Sequence, residues 1–175
     1  MRLLAALAFA TGCCCSFVVE AQGTPAPPCA DDASHQFDFW IGDWDVFLPD
    51  GKLAGTNRIA PIYKGCVLHE SWKAATLEGQ SFNRYDAPRR LWHQTWVDSG
   101  GSLLLTEGRF RDGVMTLSDA TLPGKADAKS LNEITWTPLP DGSVRQHWRV
   151  SEDGGKTWKT AFDGKYVRSK REQPK

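Results

Sequence analysis

The chain predicts an all-β fold, a single antiparallel up-and-down β-barrel of about ten strands entered through a short N-terminal helical turn. Three observations carry this. Short segments that alternate apolar and polar residues recur between Trp44 and Arg168, with the two-residue period of half-buried strands. Between them stand Pro49-Asp50-Gly51, Asp86-Ala87-Pro88, Ser99-Gly100-Gly101, Asp112-Gly113, Pro140-Asp141-Gly142 and Asp153-Gly154-Gly155, residues suited to the tight turns of hairpins. No segment keeps a helical period over four turns, so strand follows strand without a crossover element.

From the N-terminus, residues 1–21 read as an export signal. Met1-Arg2 is a short positive region, Leu3 to Phe9 is an apolar run too brief to span a bilayer, and Val19 and Ala21 place small residues for cleavage before Gln22. A second reading takes Ala10-Thr11-Gly12-Cys13 as a loose lipobox with a lipid anchor on Cys13. The residue three before the cysteine and the short apolar run weigh against it. No membrane span is expected, and the chain is placed in the periplasm or outside the cell. Residues 22–33, with Pro25, Pro27 and Pro28, form a flexible leader. A helical turn is expected over Ser34–Trp40, with Ser34 as its cap.

The barrel domain then runs over residues 34–170, leaving 171–175 as a tail. Its strands are expected near Trp44–Leu48, Ala54–Ile62, Cys66–Ala74, Gln80–Tyr85, Leu91–Asp98, Ser102–Phe110, Val114–Ser118, Asn132–Thr137, Ser143–Ser151 and Phe162–Arg168. Asp119–Ser130 is the longest connection, expected as a flexible loop at the barrel mouth. After cleavage only Cys29 and Cys66 remain, and in an exported chain such a pair is expected to form a disulfide, worth ~2–4 kcal/mol.

Lys plus Arg and Asp plus Glu both number 21, so no basic field exists for nucleic acid or anionic membranes. Eight tryptophans are the compositional anomaly, suited to an aromatic core or to a lined pocket. Alternation locates the lumen. In Ser143–Ser151 the phase Arg145, His147, Arg149 belongs outside, which turns Val144, Gln146, Trp148 and Val150 inward. Leu91–Asp98 turns Trp92, Gln94 and Trp96 inward, Cys66–Ala74 turns Leu68, Glu70 and Trp72, and Gln80–Tyr85 turns Ser81, Asn83 and Tyr85. Apolar walls with a few convergent polar groups are the composition of a ligand pocket. A filled barrel in which these groups satisfy one another is the alternative. A bulge at Ser99-Gly100-Gly101 or Glu107-Gly108 would invert the phase beyond it.

Glu70 is the sharpest chemical candidate. Enclosed by indoles, its carboxyl is expected to titrate high, as a general acid or base requires. The competing expectation is a structural ion pair with Arg58 or Arg109. His35, His69, His93 and His147 show no metal-ligand spacing, and the last three fall on outward phases, so no metal is expected. No cofactor fingerprint or nucleophile motif is present either. Ser151-Glu152-Asp153-Gly154-Gly155-Lys156-Thr157-Trp158 matches the Asp-box pattern S-x-D-x-G-x-T-W. A single copy here argues only for a rigid hairpin between the last two strands.

Phe37-Asp38-Phe39-Trp40-Ile41-Gly42-Asp43-Trp44-Asp45-Val46, followed by Gly65-Cys66-Val67, Tyr85-Asp86, Trp92–Asp98, the Asp-box and Tyr166, resembles exported bacterial lipocalin-like proteins of unknown function. Its aromatic-Gly-x-Trp opening is similar to that of calycin barrels in general, and more distantly to nitrobindin-like barrels. The likeness implies a central cavity and a cation from the last strand, Arg168, over the Trp44 indole. Nitrobindin-like barrels hold haem through a late histidine. The last histidine here, His147, falls on an outward phase, so haem is not expected.

The first functional expectation is therefore a lipocalin-like barrel that binds a small, largely apolar ligand of aromatic or polyene body. Trp72, Trp92, Trp96 and Trp148 would form its walls, with Asn83, Tyr85, Gln94, Gln146 and Glu70 orienting it. The alternatives are a cofactor-independent lyase, isomerase or cyclase with Glu70 and Tyr85 as catalytic residues, and a filled barrel of structural role.

Overall fold

The computed structural model describes residues 27–125 and 127–170. The expected signal over 1–21, the alternative anchor at Cys13, residues 22–26 of the leader and the 171–175 tail lie outside the described residues. Ten strands follow in order: β1 Gly42–Phe47, β2 Leu53–Ile62, β3 Val67–Lys73, β4 Glu78–Asp86, β5 Leu91–Asp98, β6 Leu103–Arg111, β7 Val114–Ser118, β8 Leu131–Pro138, β9 Val144–Ser151 and β10 Lys159–Arg168. Each pairs antiparallel with the next, and β1 pairs with β10 to close the barrel. The expected strands are all present, with bounds that differ by at most three residues.

The ladder is irregular only along the seam strands among the described pairings, between Val46 and Phe47 and between Thr160 and Phe162. The two positions where a bulge would invert the phase carry none. Ser99-Gly100-Gly101 lies in a turn outside the ladder, where Asp98 Oδ1 accepts from the amides of Gly100 (2.9 Å) and Ser102 (3.1 Å). At Glu107-Gly108 the register runs through unbroken. The inward phases downstream therefore hold.

One pole of the barrel is closed by the N-terminal arm. Two 3-10 turns, Asp32–His35 and Asp38–Trp40, replace the single expected turn. Asp31, rather than Ser34, is the cap of the first. Its carboxylate accepts from the Ser34 amide (3.1 Å) and hydroxyl (2.8 Å), so Ser34 is spent as a donor inside the turn. The turns drop Phe37 and Trp40 fully buried into the barrel. Phe37 stacks on Trp40 at 4.9 Å and meets Trp92 and Trp136 edge-on at 5.5 and 5.2 Å. The expected Cys29–Cys66 disulfide ties this arm to the link between β2 and β3.

The Gly-x-Trp motif sets the seam at the same pole. Trp44 Nε1 donates to the Trp40 carbonyl (2.8 Å), and the Arg168 guanidinium lies 3.9 Å over the Trp44 ring while donating to the Ile41 carbonyl (2.6 Å). Gly42 sits at φ 144°, and a Cβ there would come 1.7 Å from Arg168 Nη1. Glycine is the residue that lets this stack form.

At the opposite pole lie the β1–β2, β3–β4, β5–β6, β7–β8 and β9–β10 connections, which places the long residue 119–130 connection at the mouth as expected. Its start is pinned. The buried Asp119 carboxylate accepts from Asn132 N (2.7 Å) and Nδ2 (2.9 Å) and pairs with Lys125 (3.0 Å). Gly154 N of the Asp-box donates to the Lys129 carbonyl (2.9 Å), joining the two rim segments. Among the described residues no helix is long and apolar enough to cross a membrane.

Candidate functional site: the barrel lumen

The strands leave a cavity of about 570 Å³ that opens at the mouth. Because side chains two apart share a face, each strand contributes its residues in layers. Leu48, Ala74, Leu77, Asp98, Ser102 and Leu103 form the rim. Trp72 of β3, Trp96 of β5, Leu104 of β6, Ile134 of β8, Trp148 of β9 and Phe162 of β10 form the walls. Glu70, Gln94, Gln146 and Tyr166 form the floor, above the aromatic plug. Two of the wall indoles are held by hydrogen bonds. Trp96 Nε1 donates to Asp98 Oδ2 (2.9 Å), and Trp148 Nε1 to Asn132 Oδ1 (3.0 Å). Trp96 lies so close to β4 that a Cβ on Gly79 would sit 2.3 Å from its ring, so a glycine there gives the indole its place.

The floor is one hydrogen-bonded network centred on Glu70, which is 4 % exposed. Asn57 Nδ2 donates to Glu70 Oε1 and Ser81 Oγ to Glu70 Oε2, each at 2.6 Å. Behind Ser81, Gln94 Nε2 donates to Asn83 Oδ1 and Asn83 Nδ2 to Ser81 Oγ, each at 2.8 Å. On the other side Asn57 Nδ2 reaches the Tyr166 hydroxyl (3.3 Å), which donates to Gln146 Oε1. Asn57 Oδ1 is buried without a partner.

Burial pushes the Glu70 carboxyl above its ordinary value, against the opposing hydrogen bonds of Ser81 and Asn57. Burial, then the neighbouring Glu70 charge, holds the Tyr166 phenol well above its ordinary value. The expected ion pair to Glu70 does not form. Arg58 and Arg109 are exposed on the outer face, with Arg58 3.9 Å from Asp43, so Glu70's hydrogen-bond partners are neutral.

Of the expected site residues, Glu70, Trp72, Gln94, Trp96, Gln146 and Trp148 come together around the cavity. Asn83 lies one layer behind it, bonded to Ser81 and Gln94. Trp92 and Tyr85, 6.0 Å apart ring to ring, belong to the closed pole, where Trp92 packs on Phe37. They face inward, but at the wrong height, because alternation reports the face of a strand and not the depth along it. Tyr85 is therefore not positioned to act with Glu70, whereas Tyr166 shares Asn57 with it. Asn57, Asn132, Phe162 and Tyr166 complete the site. Arg58 on β2, and Asp163 and Lys165 on β10, mark the outward phases that turn Asn57, Phe162 and Tyr166 inside.

The histidines bond outside the lumen: His69 to Gln80 (2.8 Å), His93 to Thr95 (2.9 Å) and His147 to Thr160 (3.0 Å). Among the described residues no cluster of His, Cys, Asp and Glu is arranged to hold a metal ion. A second concavity, about 790 Å³, lies on the outer face of β2–β5. There Lys73 meets Glu78 at 3.1 Å, so those charges already satisfy each other. No model of a known protein family and no curated protein matches the chain.

Proposed function

We propose that the protein is an exported lipocalin-like carrier that binds a small, largely apolar ligand in its lumen. The observation that carries this reading is the layered cavity, with indole and aliphatic walls over a floor of convergent polar groups, at a volume that suits one small molecule. The walls supply affinity through desolvation and ring contacts, and the floor orients one polar end of the ligand. Flat indoles favour an aromatic or polyene body. The signal-like N-terminus and the Cys29–Cys66 disulfide support a periplasmic or secreted location.

A second reading rests on Glu70 itself. A buried carboxyl titrating high beside the Tyr166 hydroxyl has the parts of a proton-transfer site, as a lyase, isomerase or cyclase would need. The carrier reading is tested by native mass spectrometry of the protein from its own host, then denaturing extraction of whatever it holds. A stoichiometric compound released unchanged is the expected result. A barrel that leaves the cell empty, and that converts a compound in a way lost with Glu70→Gln, would replace the carrier by the enzyme.

A further inference from the structure

We propose that the lumen selects an organic cation, an ammonium group seated at Glu70 on an apolar, aromatic body held between Trp72, Trp96 and Trp148. The proposal rests on the lumen being a binding site. Its first ground is charge. Among the described residues, the carboxyl side chains lining the cavity are Glu70 on the floor and Asp98 at the rim, and no lysine, arginine or histidine lines it. Three cations of the surrounding strands are turned outward and engaged there: Lys73 with Glu78 (3.1 Å), Arg145 with Asp163 (2.7 Å) and Arg149 with Glu133 (2.6 Å). A carboxylate ligand would meet the Glu70 and Asp98 carboxyls and find no counter-charge among the described lining residues.

The second ground is the direction of the floor's hydrogen bonds. The run from Gln94 through Asn83 to Ser81 donates toward Glu70, as does Asn57, so both Glu70 oxygens act as acceptors. Next to Glu70, Asn57 Oδ1 is a further buried acceptor without a partner. What this floor lacks is a donor carrying positive charge, and an ammonium is one. The third ground is the wall. Indole faces attract a cation that has left water, and Phe162 meets Trp72 edge-on at 6.0 Å to extend the aromatic surface. Burial among neutral partners penalises the charged form of Glu70, and an ammonium beside it would offset that penalty.

Three probes that share one body separate the heads: 1-naphthylmethylamine, 1-naphthalenemethanol and 1-naphthoate, titrated calorimetrically into the intact protein near neutral pH. The amine is expected to bind at least about tenfold tighter than the alcohol, and the carboxylate more weakly than either. Glu70→Gln is expected to bring the amine to within about twofold of the alcohol in that variant. An amine no tighter than the alcohol, or a carboxylate as tight as the amine, overturns the cation proposal while leaving the lumen as a binding site. Binding of none of the three overturns both. The wild-type series decides the question even if the variant fails to fold.

Discussion

At the floor of the lumen, Glu70 keeps a carboxyl group among neutral partners, and the energetic consequence is readable through pH. Its folded pKa lies above the ordinary glutamate value. The folded state therefore holds the proton more tightly than the unfolded chain, and stability falls as pH rises from the ordinary glutamate range through the folded pKa. Glu70→Gln removes that term. The glutamine keeps an oxygen for Ser81, and the Asn57 amide can turn so that its unpartnered Oδ1 accepts from the new side-chain N–H. The melting temperature of Glu70→Gln is thus expected to gain on the wild type as pH increases. A difference that shrinks with rising pH would refute the buried, cation-free carboxyl. Gly42→Ala tests the seam in the same way. Strain at φ 144° and the overlap with Arg168 are expected to destabilise the barrel by about 1–3 kcal/mol in urea unfolding.

Among the elements, the β9–β10 hairpin has the most self-contained chemistry. Asp153 accepts from the Thr157 amide (2.8 Å) and hydroxyl (2.6 Å) and from Ser151, while Trp158 Nε1 returns to the Gly155 carbonyl (3.1 Å). The Thr157 bonds lead in holding the Asp153 carboxyl down at about 2. A depressed acid contributes stability above the ordinary aspartate range and loses it as pH falls toward the folded value. Amide-exchange protection at Thr157 is expected to persist at pH 4 and to fade toward about pH 2, and Asp153→Ala is expected to abolish it at neutral pH. This hairpin was legible residue by residue, because a local motif carries its own hydrogen bonds. The strands were legible for a related reason, since a two-residue period and glycine-bearing turns are local signals. The site was legible only in part. Alternation gave the face of Glu70, Trp72, Gln94 and Trp96 but not the depth of Trp92 and Tyr85. Asn57 meets Glu70, 13 positions along the chain, once β2 and β3 pair, but Tyr166, 109 along, only once the barrel closes.

For the molecule as a whole, stability depends on a plug that precedes the barrel in sequence and a seam that joins its first strand to its last. The disulfide spans 37 positions and holds that plug against the β2–β3 link. Replacing both Cys29 and Cys66 by serine is expected to lower unfolding stability by about 2–4 kcal/mol, measured by denaturant titration under otherwise equal conditions. A loss much smaller than this would show that the Phe37–Trp40 stack anchors the arm without help. The same pole also gathers the two ends of the described chain. The arm enters beside Cys66, and Ser169 leaves beside Asp43, its amide 2.9 Å from that carbonyl. A tether, affinity handle or solid support joined at either described end would therefore leave from behind the barrel. Molecules immobilised there would stand with their openings toward bulk solution, free to load and unload.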